Sequence, residues 1–313
     1  MTTTLRPRLP FDLAVLARSH GWYDLPPFSW DEGDRTLRYR ALVDGRSLAL
    51  VLRQAAPDGP IEVSSPSAAL ELDEGAMSVV RRILSLDSDL EPTWELARRE
   101  PRLRWAADRG AGRMLRSATL FEDLLKILFT TNCTWAATRS MCQNAMALGV
   151  AGAFPSPSEL DDLEESDWKS KARVGYRARS AKELVRRFES DRGQIERELS
   201  RMSSAELSKW LLALPGFGPY AAGQAMRLLG RFESLALDSW CRSRIAELTG
   251  RERSDEAIEK VYGEYGDSKG LILWLDITRD WHEREGADAH RAELGQKFSR
   301  RKRARASKGG ARG

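Results

Sequence analysis

Leu214-Pro215-Gly216-Phe217-Gly218-Pro219-Tyr220, followed by Leu235-Ala236-Leu237-Asp238-Ser239-Trp240, is the stretch whose reading decides this fold. Upstream, Ser203-Ser204-Ala205-Glu206 is a capping-box pattern that opens a helix through Leu207, Trp210, Leu211 and Leu214. Pro215-Gly216 stops that helix, and Pro219 stands where a first helical turn tolerates proline. The next helix carries Ala221, Ala222, Ala225, Leu228 and Leu229 and ends at Gly230. Two helices joined by a short Gly/Pro hairpin result. Gly216 and Gly218 let the backbone approach another molecule closely, and the helix behind them starts with unpaired amides and a positive dipole end, which together can cradle a phosphate. An ordinary helical hairpin has the same local pattern. Asp238 lies twenty residues beyond Gly218 in an apolar run, where a carboxylate is costly to desolvate unless partnered or functional. It also precedes a helix-like stretch over 239–248, so an N-cap role fits too.

The bulk properties set the frame. At 313 residues and 42% hydrophobic content, the chain can bury a full core and suggests about two domains. It has no apolar run of about 18 residues for a membrane span, and Met1 to Pro10 lacks a secretory apolar region. The expectation is a soluble, cytoplasmic monomer, nucleoid-associated if bacterial. Cys133, Cys142 and Cys241 have no C-x-x-C spacing, and His20, His282 and His290 are scattered. Neither a disulfide framework, an iron–sulfur cluster nor a catalytic transition metal is expected. The net charge of +4 hides eight basic residues between Lys297 and Arg312, without which the rest carries −4. Such a tail suits loose, salt-sensitive attraction to phosphates, or simply a solvated end.

Toward the N-terminus, Leu37, Tyr39, Ala41 and Val43 alternate with Arg38, Arg40 and Leu42, Asp44-Gly45 turns, and Leu48, Leu50 and Leu52 share a face. This pattern predicts a hairpin, with Ile61–Val63 as a third strand. After Ser65-Pro66-Ser67 the spacing becomes helical, first at Met77, Val80, Ile83 and Leu84. Thr119-Leu120-Phe121-Glu122 is another capping-box pattern, opening a helix with Phe121, Leu124, Leu125 and Leu128 on one face and Asn132-Cys133 at its end. The fold class predicted is α+β and mostly α, a small N-terminal antiparallel β-sheet subdomain followed by a helical domain. The boundaries read as 1–112 for the sheet subdomain with flanking helices, 113–291 for the helical domain and 292–313 for the basic tail.

The hairpin, the helix behind it and the aspartate, in this order, resemble the helix-hairpin-helix–Gly/Pro–Asp superfamily of DNA glycosylases. From about residue 10 to 285 the layout resembles the 8-oxoguanine glycosylase and 3-methyladenine glycosylase II branches, which place a small sheet before the helical domain. The resemblance implies an enzyme of base-excision repair that binds double-stranded DNA, flips out a damaged base and cuts its N-glycosidic bond. Asp238 would then be the catalytic carboxylate, stabilising an oxocarbenium-like sugar and orienting or deprotonating the attacking water. Gly216, Phe217 and Gly218 would grip the DNA backbone. Bifunctional relatives carry a lysine two residues after the second hairpin glycine, and here that position is Tyr220. A phenol cannot form an imine, so the expected activity is monofunctional hydrolysis.

Further residues follow from the same resemblance. Asn132 resembles the asparagine that fills the space left by the flipped base. Within Gly175-Tyr176-Arg177-Ala178-Arg179, Tyr176 resembles the wedge beside the orphaned base and Arg177 a reader of that base's edge, with Arg179 alongside. A surface loop with solvated arginines is the plain alternative. The 8-oxoguanine branch's second partner-base arginine falls on Ala137, and its pocket glutamine near Gly270. Trp274 matches a stacking aromatic, and Tyr220, Gln224, Trp240 and Trp274 form the expected base pocket. The Ala137 and Gly270 departures count against 8-oxoguanine, and an aromatic box of Tyr220 and Trp274 would favour electron-poor or cationic alkylated bases, so the expected lesion is an alkylated or oxidised purine. No cofactor is required, although carbonyls of Leu212, Leu214 and Phe217 could hold a monovalent cation, K+ or Na+. Two alternatives stay open: a non-catalytic damage-binding protein, and a bifunctional glycosylase/lyase using another amine.

Overall fold

The computed structural model describes residues 2–66, 72–149, 152–191 and 194–283. The basic tail and His290 lie outside the described residues. Five strands, β1 (Thr2–Leu5), β2 (Ser29–Asp31), β3 (Thr36–Val43), β4 (Arg46–Arg53) and β5 (Ile61–Ser64), form one antiparallel sheet in the order β1-β5-β4-β3-β2. The predicted hairpin is β3–β4, closed at Val43↔Arg46 by Asp44 and Gly45, both with positive φ as a two-residue primed turn requires. Leu37, Tyr39, Ala41 and Val43 are buried, and so are Leu48, Leu50 and Leu52 across from them. The two edge strands are additions to the sequence reading. β1 pairs with β5 some sixty residues away, and β2 is only three residues long, so neither leaves a local periodic signal.

The rest is helical, and one apolar core runs without a break from Leu5 in the sheet to Trp281 near the last described residue. At its centre lies the helix Leu120–Thr130, every residue of which is buried. Thr119 caps it by accepting from the Glu122 amide, but the reciprocal half of the expected capping box is absent. Glu122 instead points into the core, accepting from the Tyr39 hydroxyl at 2.5 Å and pairing with Lys126 at 2.6 Å. Lys126 is 0% exposed and lies 4.9 Å from the Phe28 ring centroid and 5.6 Å from that of Phe154. Burial pushes the Glu122 carboxyl upward, against the pull of Lys126. Asp123, equally buried, accepts from the indole of Trp22 and from the amide of Ser117. Sheet and helical body are thus joined by a desolvated polar seam.

Two consequences follow. Removing one partner of a buried ion pair strands the other charge, a loss of roughly 3–5 kcal/mol. Lys126→Met should lower the urea-derived unfolding free energy by about that amount, and Glu122→Gln/Lys126→Met should recover part of it. A single-mutant loss below about 1 kcal/mol would show that the pair is not desolvated. The histidines add a pH dependence. Desolvation lowers His282 from 6.5 to about 3, helped by Arg18 and Arg109, and His20 from 6.5 to about 4. Both stay neutral in the fold while the unfolded chain takes up their protons as pH drops through 6.5. The unfolded state therefore binds more protons, and stability falls with falling pH from about 6.5 toward 4. Unfolding measured from about pH 7 to pH 5 should show this slope, reduced by about one proton in His20→Gln; a flat profile would contradict it.

Candidate active site

The hairpin is built as its sequence suggests. Ser203 and Glu206 form the full capping box of the helix Ser204–Leu212, and Pro219–Leu228 follows with proline at its start and Gly230, at positive φ, at its end. Gly216 has φ +82°, and a Cβ there would fall 2.7 Å from the Leu128 side chain, so conformation and space both require glycine. Gly218 caps Pro219–Leu228 without a side-chain hydrogen bond, and a Cβ on it would meet open space. Pro219 has no N–H and the Ala222 amide donates to the Gly218 carbonyl at 3.0 Å, which leaves Tyr220 and Ala221 to supply the N-terminal donors of that helix, with no acidic side chain in the first turn to compete with an anion. The Phe217 side chain turns into the core. It is 6% exposed and anchors the hairpin in the core, because an aromatic ring gains more from burial than from a polar surface. Among the described residues no backbone amide donates to the carbonyls of Leu212 or Phe217, while that of Leu214 accepts from the Phe217 amide.

Asp238 is positioned by close backbone packing. A Cβ on Gly223 would lie 2.3 Å from that of Ala236, so this glycine lets the segment before Asp238 cross directly over the helix Pro219–Leu228. The amide of Gly270, the position matched to the pocket glutamine, donates to the Phe232 carbonyl at 2.8 Å and clamps the same segment. Its absent side chain makes room for that backbone and contributes nothing to a pocket. Asp238 caps the helix Ser239–Thr249, its Oδ1 accepting from the Cys241 amide at 2.8 Å. Its Oδ2 takes no hydrogen bond among the described residues. The carboxylate is half-buried and close enough to act electrostatically on both Tyr220 and Arg227. Desolvation, then the charge of Asp238, raises the Tyr220 phenol.

Tyr220, Gln224 and Arg227 share one face of the helix Pro219–Leu228, as i, i+4 and i+7 positions must. They line a pocket closed on other sides by His20, Trp22, Thr130, Trp135, Trp274 and Trp281. Trp274 is 4% exposed and donates from its indole to the Ser19 carbonyl at 2.9 Å. Trp240 belongs to the aromatic stack behind the pocket, its centroid 5.8 Å from Trp274 and 5.2 Å from Trp281. Sequence reasoning missed Arg227, Trp135, Trp281 and His20 as lining residues. Arg227 had a usable signal, since it falls on the helix face of Tyr220 and Gln224. The others come from elements distant in sequence and had none. Arg227 is 4% exposed, its Cζ stands 4.3 Å from the Trp274 ring centroid, and its Nη1 donates to Gln224 Oε1 at 2.9 Å.

The second candidate group lies at the end of the helix Leu120–Thr130. Asn132, exposed and at φ +47°, donates from Nδ2 to the hydroxyl of Tyr176 at 3.3 Å. Tyr176 is 66% exposed, an unusual setting for a large aromatic side chain. These two residues, 44 apart in sequence, form one protruding unit. Arg179 is exposed beside them. Arg177 departs from the expected base-edge reader. It is 6% exposed, with its guanidinium turned inward to the Thr131 carbonyl, Thr131 Oγ1 at 3.1 Å and the Val174 carbonyl at 3.3 Å. Buried carbonyls at this turn need a donor, and a five-donor guanidinium supplies it; the same group lies 4.5 Å from the Tyr176 ring centroid. Its place is beneath the Tyr176 ring, tied to Thr131.

No protein-family model and no curated protein matches the sequence. Solved structures do match in fold. MBOgg1 in complex with a low-affinity DNA ligand superposes with a TM-score of 0.69 at 18% identity, covering 90% of this chain and 96% of that one. The apo form of the Clostridium acetobutylicum 8-oxoguanine glycosylase/lyase gives 0.66 at 18% identity, over 88% and 95%. The 3-methyladenine DNA glycosylase from Archaeoglobus fulgidus gives 0.65 at 16% identity, over 89% and 98%. Hairpin, sheet and helical body together therefore have the fold of the 8-oxoguanine and 3-methyladenine DNA glycosylase structures.

Proposed function

We propose that this protein is a monofunctional DNA N-glycosylase that extrudes a damaged base from double-stranded DNA and hydrolyses its N-glycosidic bond. The observation that carries this reading is Asp238. Its Oδ1 is committed to a helix cap, its Oδ2 accepts no hydrogen bond among the described residues, and the carboxylate acts electrostatically on Tyr220 and Arg227 of the pocket, downstream of the Gly216-Phe217-Gly218 hairpin. The likeness in fold to DNA glycosylases supports the same assignment.

In this mechanism Gly216, Gly218 and the first amides of Pro219–Leu228 hold a phosphate near the lesion. Carbonyl lone pairs of Leu212 and Phe217 suit a monovalent cation that would strengthen the same grip. Asn132 and Tyr176 enter the space vacated by the base, while Arg177 supports them from below and Arg179 faces the backbone. As the C1′–N bond lengthens, its electron pair leaves on the base and positive charge grows on the sugar. The fixed Asp238 carboxylate stabilises that charge, and water adds to C1′ as Asp238 or solvent takes its proton. Tyr220 packs against the extruded nucleotide, and its phenol provides no amine for a Schiff base.

Asp238→Asn keeps the cap acceptor but removes the charge. Single-turnover release from a lesion panel should fall by roughly 100-fold or more, with duplex affinity retained. Borohydride should trap no covalent species with the wild-type protein, whereas Tyr220→Lys places an amine where imine formation becomes testable. Lesion-specific binding without release by either the wild type or Asp238→Asn would instead identify a damage-binding protein.

A further inference from the structure

Arg227 is a buried cation inside the pocket, and nothing in the glycosylase reading uses it. It lines the pocket together with Tyr220, Gln224 and Trp274. Among the described residues its one side-chain hydrogen bond goes to Gln224 Oε1, and its nearest carboxylate influence is Asp238, with which it forms no ion pair. A guanidinium carries five N–H donors, so most of its hydrogen-bonding capacity is unspent. The pocket is the space left for an acceptor. Desolvation disfavours its charge, opposed by Cys241, Tyr220 and Asp238, yet guanidinium stays protonated in proteins. The aromatic box expected to attract a cationic base is thus already occupied, because Arg227 itself lies over the Trp274 ring at 4.3 Å.

We propose that Arg227 is the specificity-determining residue of the pocket, donating to a carbonyl or ring-nitrogen acceptor on the extruded base and rejecting bases that carry a formal positive charge. This rests on the glycosylase reading and narrows it to neutral, carbonyl-bearing lesions. The chemistry of departure points the same way. When the C1′–N bond breaks, its electron pair leaves on the base. A cationic alkylated base departs neutral and needs no help, whereas a neutral base departs as an anion until solvent protonates it. Arg227 on the base side and Asp238 on the sugar side match the base-anion and sugar-cation charges of that transition state. Like-charge repulsion in a low-dielectric pocket works against a second cation at the same place.

The test compares single-turnover release from duplexes holding hypoxanthine or 8-oxoguanine, both neutral, with release from duplexes holding 7-methylguanine, which is cationic in the nucleoside. Wild type should release the neutral bases faster. Arg227→Met, which keeps apolar volume, should lower neutral-base release by roughly 100-fold and shift the neutral-to-cationic ratio toward 7-methylguanine. Arg227→Lys, which keeps the charge, should preserve the rejection of 7-methylguanine. Circular dichroism and thermal midpoints separate these effects from misfolding, and the Lys variant carries the test if the Met variant does not fold. Wild-type preference for 7-methylguanine, or an Arg227→Met loss equal for both lesion classes, overturns the proposal while Asp238-dependent release leaves the glycosylase reading standing. If wild type releases no base at all, the glycosylase reading falls, and lesion-duplex binding by fluorescence anisotropy decides the pocket's preference: equal affinity for neutral and cationic lesions overturns it, and weaker 7-methylguanine binding relieved in Arg227→Met supports it.

Discussion

A helix buried along its entire length is ordinarily apolar all round. Leu120–Thr130 is not, because Glu122, Asp123 and Lys126 are enclosed with it. Their desolvation is offset only if each finds a partner in a fixed place, and those partners come from different parts of the chain: Tyr39 from the sheet, Trp22 from the segment before β2, Phe28 and Phe154 from loops on either side. An apolar seam would accept several rotations of the sheet against the helices at similar energy. This polar seam ties the sheet to one, since a shifted arrangement would strand a buried charge.

The same helix sets the distances on which the candidate site depends. Leu128 backs Gly216 and so fixes the hairpin, Ile127 and Thr130 line the pocket, and the chain leaving the helix turns at Asn132 into the exposed pair with Tyr176. The hairpin turn, the pocket and the exposed Asn132–Tyr176 pair are three features built against one helix. This explains why Arg177 is turned inward. The turn after Thr131 ends the helix with carbonyls in need of donors, and an arginine spent there supports the turn beneath Tyr176 instead of reaching outward.

Sequence legibility followed the range of the interactions. The β3–β4 hairpin, the Ser203 capping box and the Asp238 cap are local, each fixed by spacing within a few residues, and all were readable. β1 and the buried Glu122–Lys126 pair were not, because a four-residue strand and an i, i+4 ion pair look the same whether exposed or enclosed. Orientation was the other blind spot. Arg177 was expected to reach a base edge, but spacing alone does not say which way a side chain turns. The opposite holds for Arg227: its helix face was deducible, and only its enclosure by Trp274 and Gln224 distinguishes it from a solvated arginine.

The helix Pro219–Leu228 couples these features most directly. Its N-terminal end adjoins the hairpin while Tyr220, Gln224 and Arg227 step along one side into the pocket. From Pro219 to Arg227 is about 12 Å at 1.5 Å per residue, a separation that a packed helix holds constant. Gly223, in the middle of that span, admits the segment that delivers Asp238 to the same side. The hairpin end of this helix is therefore held at a fixed distance from a carboxylate near its middle and a guanidinium at its far end. Small errors in that geometry would misplace both charges together, so the close packing at Gly223 matters as much to the site as the charged residues it brings near each other.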